Sequence, residues 1–325
     1  MREHLSAASA KLAATIGRTY APALLAALAG MACGGGAATG SSPSSGAGAF
    51  PLAIHQAGGA IVHLDHQPRR IVSLSPTATE MLFAIGAGKQ VAAVDDQSTY
   101  PAGAPTTKLS GFQPNVEAIA GYTPDLVVAA EDTGGLVAGL TALNVPTLVE
   151  PAAKDLNDMY AQLRELGTAT GQPAGAASEV AKIRSDVAAV VASVSKPARR
   201  ITVYHELDET FYSATSKTFI GQVYTLLGIQ NIADRATGAA PDYPQLSSEF
   251  VVAANPDLIV LADSKCCAQT LQTVSGRPGW GAVAAVRTGQ VVAVDDDIAS
   301  HWGPRIVDFM RQIAPHVSQL ERRAA

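Results

Sequence analysis

Two glutamates at matching places pose the first chemical question. Glu117 lies in NVEAIAGYTPDLVV (115–128) and Glu249 in SSEFVVAANPDLIV (247–260), and in each copy Pro-Asp-Leu follows seven positions after the Glu. Asn115 and Ser247 suit helix N-caps. Each Glu then falls in a first helical turn, where the helix dipole favours a negative charge. Two readings are open: a pair of carboxylates offering one negative contact per unit, or two good first-turn residues and nothing more. Other candidates for chemistry are weaker. FAIGAGK (83–89) lacks the leading Gly and the Ser or Thr after Lys that a phosphate-binding loop needs, having Phe83 and Gln90 there. His205-Glu206 is followed by Glu209 where a zinc-protease helix would place its second His. No G-x-S-x-G elbow is present. His63 and His66 read as a solvated strand face, and Asp295-Asp296-Asp297 as loop carboxylates after a strand. No catalytic set emerges, so the chain is not expected to be an enzyme; a secreted α/β hydrolase is the alternative from another class.

The elements that position the two glutamates repeat with them. Asp-Leu-Val-Val and Asp-Leu-Ile-Val read as buried parallel strands. Arg69-Arg70-Ile71 and Arg199-Arg200-Ile201 each open a strand-like run. A repeat of ~130 residues is domain-sized, so the chain reads as two similar α/β lobes. In the first, strands RRIVSLS (69–75), QVAAVD (90–95), DLVV and TLVE (147–150) alternate with helices, which argues a doubly wound parallel sheet. A short strand at 60–65 belongs to a leading hairpin. The second lobe opens at RRITVYHE (199–206) and continues through a hairpin at FYSATSKTF, a helix at IGQVYTLLG, strands DLIVLAD (257–263) and QVVAVD (290–295), and a last helix from Pro304 to about Leu320. Between the lobes, Val180, Ile183, Val187, Val190, Val191 and Val194 form one apolar stripe bounded by Pro173 and Pro197. This predicts one long connecting helix, which resists bending and permits only small opening motions. The boundaries expected are a signal peptide at 1–32, a lipid-anchored tether at 33–50, an N-terminal lobe at 51–172, the linker helix at 173–197 and a C-terminal lobe at 198–325.

In open α/β sheets ligands sit beyond the carboxyl ends of the strands, and two lobes can turn both sets of ends toward one cleft. The segments expected there are Ser75–Thr77, Asp96–Tyr100, Glu131–Thr133, His205–Tyr212, Ser264–Cys267 and Asp296–Trp302. Aromatics make up only 5% of the 325 residues, yet Phe112, Phe211, Tyr212, Tyr243 and Trp302 fall in or beside these loops. That gathering favours a large, partly apolar ligand.

Composition sets the outer limits. With 47% hydrophobic and 16% charged residues, a sizeable core is available and disorder is not the default. A net charge of −5 leaves no basic footprint for nucleic acid. At the N-terminus, Arg2, Lys11 and Arg18 precede an apolar run from Ala21 to Ala32, too short to span a bilayer but suited to a signal core. Cys33 follows it, then a Gly/Ser-rich stretch of ~15 residues that reaches roughly 20 Å. This arrangement resembles a bacterial lipoprotein with Cys33 acylated, although Gly30 stands where Leu is usual. The two remaining cysteines, Cys266 and Cys267, are adjacent; a vicinal disulfide and free thiols are both open to them outside the cytoplasm.

Taken with SLSPTATEMLFAIGAG, the paired Pro-Asp-Leu strands and the helical connector, the chain resembles the helix-linked solute-binding proteins of ABC importers for cobalamin, ferric siderophores and haem. The resemblance covers about residues 68 to 318. It implies that Glu117 and Glu249 dock onto arginines of a permease dimer, that the protein is a monomer holding a cobalt or iron chelate, and that no cofactor is needed. It implies a ligand site drawn from Thr77, Gln97, Phe112, Tyr212, Tyr243, Lys265, Asp297, Ile298, Trp302 and Arg305. Gln97 stands where a contact Tyr is expected and Ile298 where a Trp is; Phe112 keeps an aromatic position. An anionic siderophore would call on Lys265 and Arg305, and haem on His205 or His301. The order of expectation is cobalamin, then ferric siderophore, then haem.

Overall fold

The computed structural model describes residues 50–194, 199–236 and 240–324. The expected signal peptide, the tether and Cys33 lie outside them, as does Pro197. A short antiparallel hairpin, β1 (Leu52–His55) with β2 (Ile61–Leu64), comes first. The N-terminal lobe then alternates β3 (Ile71–Leu74), α1 (Pro76–Ala84), β4 (Val91–Val94), α2 (Val116–Ala120), β5 (Leu126–Ala129), α3 (Leu136–Ala142), β6 (Thr147–Val149) and α4 (Leu156–Ala169). The linker helix is α5 (Pro173–Ser193). The C-terminal lobe contains β7 (Ile201–Glu206), α6 (Phe219–Leu226), β8 (Ile229–Asn231), α7 (Ser248–Ala254), β9 (Leu258–Leu261), α8 (Leu271–Ser275), α9 (Ala284–Arg287), β10 (Val291–Ala293), α10 (Asp296–Ser300) and α11 (Ile306–Ala324).

Both sheets are parallel and wound alike. The orders β4-β3-β5-β6 and β8-β7-β9-β10 place the first strand of each lobe between its second and third. The register shows which sequence echo is structural. Ile71 pairs with Leu126 and Val203 with Leu258, so the offset that carries Glu117 to Glu249 also carries these pairs. The Arg-Arg-Ile echo falls two residues short of that offset and is not in structural register. What the repeated Asp does is now visible. Asp125 accepts from the Arg69 and Arg70 amides at 2.8 and 2.9 Å, and Asp257 from the Thr202 amide at 2.9 Å. Each carboxylate ties together the entry ends of two central strands, satisfying amides that would otherwise face solvent unpaired.

Several elements depart from the sequence reading. The segment expected to form a hairpin at 211–219 makes one antiparallel bridge, Tyr212 to Gln245, and is otherwise irregular. β8 had no sequence signal, since Ile-Gln-Asn is short and two-thirds polar. The last helix also starts later than Pro304 and continues through Pro315.

The linker is 21 residues long, or roughly 32 Å, and it is packed into both lobes. Val180, Ile183, Val187 and Val190 are buried in one apolar cluster that runs from Ile54 to Leu320. At its start the contact is backbone-close: a Cβ on Gly175 would stand 2.0 Å from the Ile85 carbonyl oxygen.

One buried group works against stability. Glu150, at the end of β6, is 5% exposed and its Oε1 has no partner. Burial, with Glu165 adding, pushes its carboxyl up to about 9, so it is protonated at neutral pH. Below about pH 4.3 the carboxyl is protonated both folded and unfolded and its ionisation costs nothing; stability is lost as pH rises from there toward the folded value. Glu150→Gln is therefore expected to raise the melting temperature at pH 8 by roughly 3 °C or more, with little change at pH 4. Thermal denaturation across that range checks it; an equal effect at both pH values would rule out ionisation as the cause.

Candidate functional site

The carboxyl edge of the N-terminal sheet is a polar rim with two projecting rings. β3 ends at Leu74, and Ser75 caps α1 by accepting from the Ala78 amide. Ser73, Thr79 and Ser98 form a hydroxyl chain with links of 2.9 Å, and Ser98 donates to Asp95 at the end of β4. Burial nevertheless pushes Asp95 up to about 6. The loop that follows is pressed onto this edge, since a Cβ on Gly111 would lie 2.4 Å from the Leu74 carbonyl oxygen. Next to it Phe112 is 63% exposed, and Tyr100 is 47% exposed. Gln97 is exposed and donates to Asp96 at 3.1 Å.

The facing edge of the C-terminal lobe is built on Asp295–Asp297. Asp295 caps α10 through the Asp297 and Ile298 amides. Asp296 accepts from the Lys265 and Cys266 amides at 2.9 Å and from the Ser264 hydroxyl at 3.0 Å. Lys265 is bound by Asp295 at 2.7 Å and Asp297 at 3.0 Å. Cys266 and Cys267 are joined as a vicinal disulfide. Ile298 and Trp302 are half-buried, packed against the main apolar cluster with Tyr243, whose hydroxyl pKa burial raises. Tyr212 is half-buried beside Gln245.

The two edges meet at a buried ionic contact that the sequence did not announce. Glu80 on α1 binds Arg305 through Nε at 3.0 Å and also through Nη2, and it accepts from or pairs with His301 Nδ1 at 2.9 Å. Burial alone would raise the Glu80 pKa, but the His301 and Arg305 hydrogen bonds outweigh it and hold the carboxyl below its ordinary value. Tyr100 covers the guanidinium, 4.3 Å from ring centroid to Cζ. Thr77 is buried under Gly303, and Thr99 reaches Asp297 at 3.4 Å. So Arg305, Thr77 and Asp297 lie where the lobes touch, and Arg305 is neutralised by a carboxylate. Behind this contact a groove of about 410 Å³ runs between α1, α5 and α11. Its charges are also matched: Lys182 with Glu179 and Asp186, Arg311 with Asp186 and Asp308.

Two residues expected at the cleft are elsewhere. His205 is fully buried, bonded to the Tyr224 hydroxyl at 2.7 Å, and burial pushes it down to about 4; its place on the inward face of β7 removes it as an axial ligand. Phe211 stacks on Trp280 at 5.9 Å with the Arg277 guanidinium over both rings. Arg277 in turn forks onto buried Glu206, with both bonds at 2.6 Å.

Glu117 and Glu249 are exposed in the first turns of α2 and α7, with Asn115 and Ser247 as N-caps. Because each helix runs back antiparallel to the strand it precedes, its N-terminus stands at the carboxyl edge of the sheet. Backbone and Ser247 hydrogen bonds hold the Glu249 pKa below its ordinary value. Trp280 donates its indole N–H to Ser248 at 2.8 Å, steadying that turn.

Known proteins resemble the chain in sequence and, among solved structures, in fold. A cobalamin-binding protein of Halobacterium salinarum is 32% identical over 273 residues, covering 82% of this chain and 73% of that one. The uncharacterized ABC transporter substrate-binding lipoprotein YvrC of Bacillus subtilis is 28% identical, with 82% and 86% covered. Among solved structures, the periplasmic vitamin B12 binding protein BtuF of Vibrio cholerae superposes with a TM-score of 0.66 at 23% identity, covering 79% of this chain and 100% of that one. The periplasmic heme-binding protein RhuT of Roseiflexus gives 0.68 at 23%, with 78% and 98% covered. The family profile described as periplasmic binding protein matches residues 71–298, and with two parallel-sheet lobes joined by one helix the chain belongs to that family.

Proposed function

We propose that the protein is an extracytoplasmic solute-binding lipoprotein, anchored through Cys33, that captures a metal chelate and hands it to the permease dimer of an ABC importer. Cobalamin is the favoured solute. The observation that carries this preference is the charge state of the cleft: Lys265 is bound by two aspartates and Arg305 by Glu80. Neither cation is left to meet an anionic ferric chelate, whereas a corrinoid, largely amide and hydrocarbon at its periphery, needs apolar and hydrogen-bonding contacts. Exposed Phe112 and Gln97 with half-buried Tyr212, Tyr243, Ile298 and Trp302 offer such contacts. Thr77, Lys265, Asp297 and Arg305 shape the walls between the lobes. The relatives named for cobalamin and vitamin B12 support the same reading. Glu117 and Glu249 are the permease contacts.

Titration with cobalamin, ferric siderophores and haem, followed by tryptophan emission, tests it. Trp280 is fully buried and hydrogen-bonded, while Trp302 is half-buried. Cobalamin is expected to quench Trp302 and be recovered unchanged, and Trp302→Phe to remove most of the signal while weakening affinity only modestly, because the Phe ring keeps much of the apolar contact. Quenching by siderophores alone, or by haem alone, would replace cobalamin with that solute. Chemical conversion of the solute would overturn the binding-protein reading.

A further inference from the structure

The vicinal disulfide sits where it cannot act as an ordinary staple. A cross-link stabilises by closing a loop of chain in the unfolded state, and the gain grows with loop length. Cys266 and Cys267 are sequence neighbours, so that gain is essentially absent. What the bond can do is local: it closes a small ring that fixes the Cys-Cys peptide within the loop from Ser264 to Ala268.

That loop is a strut of the cleft wall. On one side it hangs from Asp296 by the Lys265 amide, the Cys266 amide and the Ser264 hydroxyl. On the other, the Cys267 and Gln269 amides donate to the Asp263 carbonyl at 3.2 and 3.3 Å. Gln269 is held in turn by Arg277 at 2.8 Å. Ala268 is in the left-handed region, φ +53°, a conformation that costs a non-glycine residue free energy and persists only when its surroundings enforce it. The Lys265 ammonium extends the strut to Asp295 and Asp297, and Asp297 meets Thr99 of the opposite lobe. Cys266 is exposed and Cys267 half-buried, so a small thiol can reach the first sulfur.

We propose that Cys266–Cys267 is a thiol-exchange site whose oxidation state sets how firmly the C-terminal wall of the cleft holds its solute. The consequence for solute rests on the cleft assigned under Proposed function; the consequence for the loop does not. The co-reactant is a low-molecular-weight thiol. Its thiolate attacks Cys266 Sγ, the Cys266–Cys267 bond breaks, and the electron pair leaves on Cys267 Sγ, which takes up a proton. A second thiolate attacks the small thiol's sulfur in the mixed disulfide, releasing Cys266 as the second thiol and a small-molecule disulfide. Two electrons and two protons pass from the small thiols to the pair. The reduced loop loses its ring, Ala268 relaxes from positive φ, and the donors to Asp296 separate from it.

The test uses the full chain with Cys33→Ser, which leaves only the adjacent pair. Alkylation followed by mass spectrometry should add two groups after dithiothreitol and none before; two added without reductant would overturn the proposal. Amide hydrogen exchange at Lys265 and Cys266 should be slow in the oxidised protein and roughly tenfold or more faster in the reduced one. Cobalamin should dissociate about fivefold faster from the reduced form. Cys266→Ser/Cys267→Ser should match the reduced protein and ignore reductant. Equal exchange in the two states overturns the switch, as does a double variant that still responds to dithiothreitol. If cobalamin binds neither form, the cobalamin reading fails and the exchange rates still decide the switch.

Discussion

Replacing Glu117 and Glu249 together with Ala is expected to reduce solute uptake by cells to background while solute affinity stays within about twofold. Both carboxylates are exposed, in the first turns of five- and seven-residue helices whose N-caps are intact, so the substitutions remove charge without disturbing packing. The separation of effects follows from position: the solute contacts proposed are between the lobes, whereas these side chains point to solvent at the rim. Charge pairs across an interface act on encounter as well as on retention. Single variants should therefore retain partial uptake, with a steeper loss as ionic strength rises. Uptake assays paired with solute titrations decide it. Normal transport by the double variant, or loss of solute binding as severe as the loss of transport, removes the docking assignment.

The largest effect on stability is expected from Glu80→Ala. The side chain is 3% exposed and holds both Arg305 and His301 from the opposite lobe. Removing one partner of a buried ion pair leaves an uncompensated charge, which costs about 3–5 kcal/mol. For a chain of this size that is a fall in melting temperature of roughly 10 °C. Glu80→Gln should cost less, because the amide oxygen still accepts from Arg305. The pH dependence has a definite sign. The folded-state pKa of Glu80 is depressed, so its contribution is present above its unfolded value of about 4.3 and is lost as pH falls through the lower folded value. The difference between the native protein and Glu80→Ala should thus shrink below pH 4. Calorimetry between pH 3 and 8 measures it; a loss under 1 kcal/mol at neutral pH would show that solvent or another acceptor compensates Arg305.

How much of this was readable follows from the range of each interaction. The two lobes, their parallel strands and the linker were legible because apolar periodicity and N-caps are local, and because the duplicated phrase marks equivalent points. The Arg-Arg-Ile echo misled by two residues: it has the right composition, but the ladders pair Ile71 with Leu126 and Val203 with Leu258, and the Asp125 and Asp257 bonds that accompany this register are not visible in sequence alone. At the site, the aromatic residues were visible as residues of the segments after strands, whereas Asp295–Asp297, read as loop carboxylates, form the N-cap and first turn of α10. The Glu80–Arg305–His301 contact was not, since its partners are more than two hundred positions apart and a Glu three residues after Thr77 looks like a capping residue. The neutralisation of Lys265 and Arg305 was hidden for the same reason, and with it the argument about solute charge. His205 and Phe211 stand near a strand end as cleft residues should, but one is still within β7 on its inward face and the other turns back onto Trp280.

The identical winding of the two sheets has a consequence for assembly. Because β4-β3-β5-β6 and β8-β7-β9-β10 repeat one order, and Ile71–Leu126 and Val203–Leu258 occupy matching places, the two lobes offer equivalent rims. A receptor made of two identical halves would then meet nearly the same rim whichever lobe faced which half. If the permease proposed above is such a receptor, docking would be degenerate in orientation: exchanging the two lobes would yield a second productive pose. The unduplicated parts, among them the β1–β2 hairpin, the linker helix and the extra helix between β9 and β10, distinguish the two poses.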